Sequence, residues 1–189
     1  MILPYRNYLP RAGRGSWLAP NATLIGDAVL GQDVSLWFGV VVRGDVHRIR
    51  VGDRTNIQDQ CLLHITQHEG KERLDTDGHS TIIGSEVTVG HRVILHGCTV
   101  GDLCLIGMGA ILLDGTVIGK ESLVAAGSVV TGKTFPPRSL IMGSPAKVVR
   151  EISDEQIMGF RASWKRYVDL KNEYIAVKIG TTFAGCSSL

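Results

Sequence analysis

The sequence predicts an all-β solenoid closed by one C-terminal α-helix, on three observations. Aliphatic residues recur every six positions, the fifth position of each unit is restricted to small side chains, and the spacing becomes helical after Ser153. The aliphatic series runs Leu30, Leu36, Val42, then Val51, Ile57, Leu63, then Ile83, Val89, Leu95, then Val100, Ile106, Leu112, then Ile118, Val124, Val130, with no polar residue among them. The fifth positions run from Val34 to Thr134, and only Gln67 is larger than valine. Glycine often follows the aliphatic residue, as in Val51-Gly52, Ile83-Gly84 and Val100-Gly101. Each unit is thus one short strand and one corner. Three units close one coil of a triangular prism, and like positions stack at about 4.8 Å, the spacing of paired strands.

The pattern resembles the hexapeptide-repeat left-handed parallel β-helix. Its hand, opposite to the usual right-handed crossover, comes from that resemblance, because periodicity carries no hand. Residues 1–150 are expected to hold an N-terminal segment, coils over about 25–135 and a connector. Three extra residues between Val42 and Val51 predict a bulge around Val46 to Arg50, and a longer excursion separates Leu63 from Ile83. Phe135-Pro136-Pro137 ends the coils and Gly143-Ser144-Pro145-Ala146 turns the chain. Ser153 with Gln156 predicts a capping box, followed by Ile157, Phe160, Trp164, Tyr167, Val168, Tyr174 and Ile175 on one helical face. That helix, over 151–180, is expected to pack on the prism or on a neighbouring subunit. Residues from Gly180 through the 181–189 tail are expected to fray.

One domain is expected from 189 residues that are 44% hydrophobic. A net charge of +2 without a dense Lys/Arg stripe argues against nucleic acid as a partner. The absence of a signal-like opening or a long apolar run argues against a membrane and for the cytoplasm. Cys61, Cys98, Cys104 and Cys186 show no metal-ligand spacing, and Cys61 and Cys104 fall at inward fifth positions.

Three histidines carry the chemistry. His64 and His96 each follow the aliphatic residue of the third face in consecutive coils, so their imidazoles stack one coil apart. His91 belongs to the second face, and a corner separates it from His96. It reaches the same ion only if a threefold oligomer sets the third face of one prism against the second face of the next. The expected site takes His64 and His96 from one subunit and His91 from its neighbour. Three histidines with an open fourth position describe a catalytic zinc site. Arg43 lies one coil below His64 and Asp59 one coil below His91, with Asp45 and Gln58 beside them. An ion pair from Arg43 to a carboxylate across the interface would hold the subunits together and orient the site.

Arg43-Gly44-Asp45, Asn56-Ile57-Gln58-Asp59 followed by His64, and Gly90-His91 with His96-Gly97 resemble the signature of the gamma-class carbonic anhydrases. The likeness covers about residues 17–150 and extends through Gly107-Met108-Gly109, Leu112-Leu113-Asp114-Gly115 and Gly143-Ser144-Pro145, as in a bacterial branch of that family. It implies a homotrimer with interfacial zinc, or Fe2+ or Co2+, on His64, His91 and His96, with Gln58 near the metal-bound water. The implied reaction is attack of hydroxide on carbon dioxide to give bicarbonate. Neutral ligands leave zinc its full charge, which lowers the pKa of bound water from about 16 towards about 7. The chain departs from the family's archetype at Val46, where that archetype is acidic, and in a shorter loop with Gln67, His68 and Glu69 in place of the acidic shuttle loop. His68 or Glu69 is then the expected proton relay, and low activity is expected. The alternatives are a zinc-dependent acyl-coenzyme A thioesterase and a non-catalytic metal-bound trimeric assembly module. Acetyl transfer, common on this fold, gives no reason for three histidines in this register.

Overall fold

The structure is a computed structural model that describes residues 1–66 and 78–184. It is a parallel β-solenoid of about seven turns with one C-terminal helix, consistent with a left-handed β-helix. One face stacks Trp17–Leu18, Ser35–Leu36, Asn56–Ile57, Thr88–Val89, Leu105–Ile106, Leu123–Val124 and Ser139–Gly143 in parallel. The other two faces join into a single sheet, because Thr23–Leu30 and Val41–Val51 run unbroken around one edge of the prism. All fifteen aliphatic residues of the series are buried and fill the prism axis.

The six-residue register continues at both ends of the predicted coils. Ala12 pairs with Leu30, Leu18 with Leu36 and Leu24 with Val42, which adds a coil below. At the top, Phe135 pairs with Ile118 and Ile141 with Val124, so Pro136 and Pro137 form a corner within a last partial coil. The antiparallel hairpin of Ser139–Gly143 with Ala146–Glu151 then covers the end of the stack.

The bulge falls where the nine-residue unit predicts it. Gly26 pairs with Gly44 and Ala28 with Ile49, so Asp27 alone faces Asp45, Val46, His47 and Arg48. Eleven of the fifth positions are buried, but Val46 and Thr99 are only half-buried and Thr134 is exposed. Each exception lies in a unit that is not six residues long. The invariant is the β alternation itself, which turns inward the residue two before the next aliphatic position. Counting back in this way finds Ile49, Thr81 and Cys98, all buried, while in the last unit, after Val130, Lys133 is exposed as Thr134 is. Glycine after the aliphatic residue serves close stacking: a Cβ on Gly52 would sit 2.6 Å from the Gly84 carbonyl carbon, and one on Gly101 2.7 Å from Lys120 N. The left-handed turns fall two residues later, at Asp33, Arg54, Glu86, Leu103, Glu121 and Arg138.

The helix α1, Asp154–Ala176, starts with the predicted capping box between Ser153 and Gln156. It lies along the second face of its own prism, against Ser35–Leu36, Asn56–Ile57 and Thr88–Val89. Tyr167 and Tyr174 pack on Trp17, Trp37 and Phe38 with ring centroids 5.2 to 5.8 Å apart. Lys171, unexpectedly for a charged residue, is wholly buried; its Nζ donates to Asp33 Oδ1 at 3.0 Å and to Asn172 Oδ1 at 2.8 Å. The segment after the helix does not fray over its described part. Thr181–Thr182 pairs antiparallel with Trp17–Leu18, and Trp17 Nε1 donates to Ile179 O at 2.6 Å. Backbone pairing of a sheet edge outweighs the weak local propensity of the tail. Among the described residues, no helix is long and apolar enough to cross a membrane.

Candidate metal centre

The parallel pairing of Leu62–His64 with Ile94–His96 sets His96 directly opposite His64. Their rings lie 5.1 Å apart by centroid, with His64 Nδ1 3.1 Å from His96 Nε2. Two nitrogens on one tetrahedral zinc, each at about 2.0–2.1 Å from it, would be about 3.3 Å apart. The pair therefore fits two corners of such a site, and the register that places it follows from the six-residue repeat.

Each imidazole is held from behind by a carboxylate. Asp45 Oδ1 lies 3.3 Å from His64 Nε2, and Asp114 Oδ1 lies 2.7 Å from His96 Nδ1. Arg43 Nη1 donates to Asp45 Oδ2 at 2.6 Å, so this ion pair lies within one chain and stands behind His64. Burial pushes the Asp45 carboxyl up, but the hydrogen bond and charge of Arg43 prevail and hold it below its ordinary value. For His64, burial and the positive charge of Arg43 outweigh Asp45 and lower its pKa. His64 is accordingly neutral at neutral pH, with a lone pair available to a metal.

His91 stands apart on the second face. Its Nδ1 lies 2.7 Å from Asp59 Oδ2, and its side chain is 44% exposed. Among the described residues of one chain, no three His, Cys, Asp or Glu side chains come together to hold an ion. Within one chain, His64 and His96 are thus paired and His91 lies on another face.

Gln58 is buried on the same face as His91. Its Nε2 donates to Asn56 Oδ1 at 3.2 Å, and Asn56 Nδ2 donates to Thr88 Oγ1 at 3.0 Å. Thr88 Oγ1 lies 3.1 Å from Ser163 Oγ, which links this buried polar chain to α1. Asn56 Nδ2 also donates to the backbone carbonyl of Val87 at 3.4 Å, which fixes the Asn56 amide and leaves its Oδ1 to accept from the Gln58 NH2. His68 and Glu69 lie outside the described residues. Burial pushes the thiols of Cys61, Cys98 and Cys104 up to about 12, which makes them packing residues and not nucleophiles.

Sequence inspection alone does not single out Asp114 or Thr66. Asp114 sits 18 residues after His96, on the next coil, and Thr66 Oγ1 donates to its Oδ2 at 2.6 Å. The one available signal is Gly97: a Cβ there would run into Asp114 Oδ1.

Comparison with known proteins agrees with this fold and its motifs. A family model described as bacterial transferase hexapeptide (six repeats) matches residues 97–132. Protein YrdA of Escherichia coli is 44% identical over 176 residues, covering 93% of this chain and 94% of that one. A carbonic anhydrase of Geobacillus kaustophilus is 40% identical over 179 residues, covering 94% and 93%. The solved structure of a hexapeptide transferase family protein from Anaplasma phagocytophilum superposes with a TM-score of 0.83 at 38% identity, covering 92% of this chain and 98% of that one. With full-length relatives at this identity and the motifs around His64, His91 and His96 in place, the chain belongs to the gamma carbonic anhydrase family of hexapeptide-repeat proteins.

Proposed function

We propose that the protein is a zinc-dependent carbonic anhydrase of low activity, working as a homotrimer with one site at each subunit interface. The observation that carries this reading is the 3.1 Å approach of His64 Nδ1 to His96 Nε2, with a carboxylate behind each ring, while His91 stands apart and half exposed. The third face of one subunit supplies His64 and His96, and the second face of the next supplies His91.

Zinc held by three neutral imidazoles supplies the Lewis acidity that makes hydroxide available at neutral pH for addition to carbon dioxide. Burial and Arg43 keep His64 neutral while Asp45 aims its ring, and Asp59 holds His91 through Nδ1, which leaves Nε2 for the ion. Gln58 commits its amide NH2 to Asn56 and so keeps its carbonyl oxygen as the acceptor for water or substrate. Unpaired thiols at Cys61, Cys98 and Cys104 suit the reducing cytoplasm, where we place the protein.

Stopped-flow hydration of carbon dioxide by zinc-loaded and anaerobically iron-loaded protein tests this reading, beside an acyl-coenzyme A panel. Metal-dependent hydration is expected, reduced about 100- to 1000-fold by Gln58→Ala, the range for losing one oriented polar group at a reacting centre. Hydrolysis or transfer of an acyl group with no hydration would contradict it.

A further inference from the structure

Asp114 belongs to a motif for which the proposed reaction has no use, yet among the described residues its contact to a ring nitrogen of the three histidines is, with that of Asp59 on His91, the shortest. Its two carboxylate oxygens are divided between two partners. Oδ1 meets His96 Nδ1 at 2.7 Å, and Oδ2 accepts from Thr66 Oγ1 at 2.6 Å. Thr66 is fixed in turn by an antiparallel bridge to His79, with Thr66 N donating to His79 O at 3.4 Å. The backbone makes room for this arrangement. Gly97, next to His96, has φ of 57°, and any side chain there would strike the Asp114 carboxylate. Gly115 N donates to Gly97 O at 2.9 Å, which ties the two coils together at this point.

A carboxylate has only acceptor oxygens, so the ring nitrogen facing it carries the hydrogen. Asp114 therefore requires Nδ1–H on His96, and the tautomer that results has its lone pair on Nε2, the atom 3.1 Å from His64 Nδ1. We infer that Asp114 is a positioning residue that fixes the tautomer and ring orientation of His96, with Thr66 locking the carboxylate in place. The effect on zinc rests on the site proposed above, whereas the tautomer does not. Asp45 and Asp59 hold His64 and His91 in the same manner, so three carboxylates from three different coils each set one imidazole.

Two measurements test this, and they fail separately. In metal-free protein, the ring nitrogen resonances of His96 should show Nδ1 protonated and Nε2 bare, and Asp114→Ala should shift them towards a tautomer mixture. Asp114→Asn preserves shape and serves if the alanine variant does not fold; its amide should also loosen the preference, because it offers a donor as well as an acceptor. Unchanged His96 resonances in a folded Asp114 variant would overturn the inference. In zinc competition with a chromophoric chelator, Asp114→Ala should weaken binding about 10- to 100-fold, and Thr66→Val less. The same loss from Asp114→Ala in a His96→Ala background would also overturn it, since Asp114 would then act elsewhere. If the tautomer responds as expected but wild-type protein binds no zinc, the proposed metal site fails and the positioning role stands.

Discussion

His91→Ala is expected to strip the protein of tightly held zinc while leaving the fold of each chain intact. His91 is 44% exposed on the side chain and its recorded partner is Asp59, so its loss costs each prism no more than a surface substitution, within about 0.5 kcal/mol. Its effect on the metal is of another order. Removing one of three ligands should weaken zinc binding by well over the roughly 100-fold that follows loss of a group behind a ligand. Metal analysis after gel filtration should find stoichiometric zinc in the wild type and almost none in the variant. Thermal melts give an independent reading: zinc at 100 times its dissociation constant should stabilise the wild type by about 2.7 kcal/mol and the variant hardly at all. Equal zinc content in both would place the ion elsewhere.

Trp17→Ala is expected to produce the largest loss of stability of any single change outside the prism axis. Trp17 is wholly buried where three parts of the molecule meet. It packs edge-on against Trp37 at 5.0 Å and lies 5.2 Å from Tyr174 of α1, and its Nε1 bonds Ile179 O ahead of the strand Thr181–Thr182. Truncating such a residue costs about 3–5 kcal/mol, a large share of the 5–15 kcal/mol that holds a typical domain together. Denaturant unfolding should show the free energy of unfolding falling by that amount, and hydrogen exchange should show residues 179–183 losing protection first. A shift under about 1 kcal/mol would mean that the aromatic cluster does not fasten the helix and tail to the solenoid.

Much of the fold was legible because β geometry writes its period into the chain. Every aliphatic residue of the series is buried, and the same register sets His96 beside His64. The nine-residue unit likewise placed the bulge opposite Asp27. What escaped reading were features fixed by contacts distant in sequence. Asp114 meets His96 only because consecutive coils stack, and nothing in the spacing distinguishes its carboxylate from those of other acidic residues. Lys171 falls on the apolar face of a helix because Asp33, 138 residues earlier, compensates its charge. Cys98 took the inward position that forward counting assigns to Thr99, since its unit is one residue short. The tail became an edge strand because Trp17–Leu18 left an unpaired backbone for it. Cys98 apart, each is a tertiary effect, for which local propensity gives no signal.

The two-plus-one division of the ligands can be tested with two inactive variants mixed together. His64→Ala and His91→Ala should each bind no zinc as pure trimers. In a trimer containing both, a subunit with intact His64 and His96 must at one place adjoin a subunit with intact His91, whichever way the ring runs, so one of the three sites is restored. Random reassembly of equal amounts should then recover about a quarter of the wild-type zinc per chain, since about three quarters of cyclic trimers are mixed. The hydration rate should recover with it. Zinc content of the reassembled mixture near a quarter is the result expected from sites shared between subunits. No recovery, in a mixture shown to contain mixed trimers, would contradict them, because it would mean that each site is built within one chain.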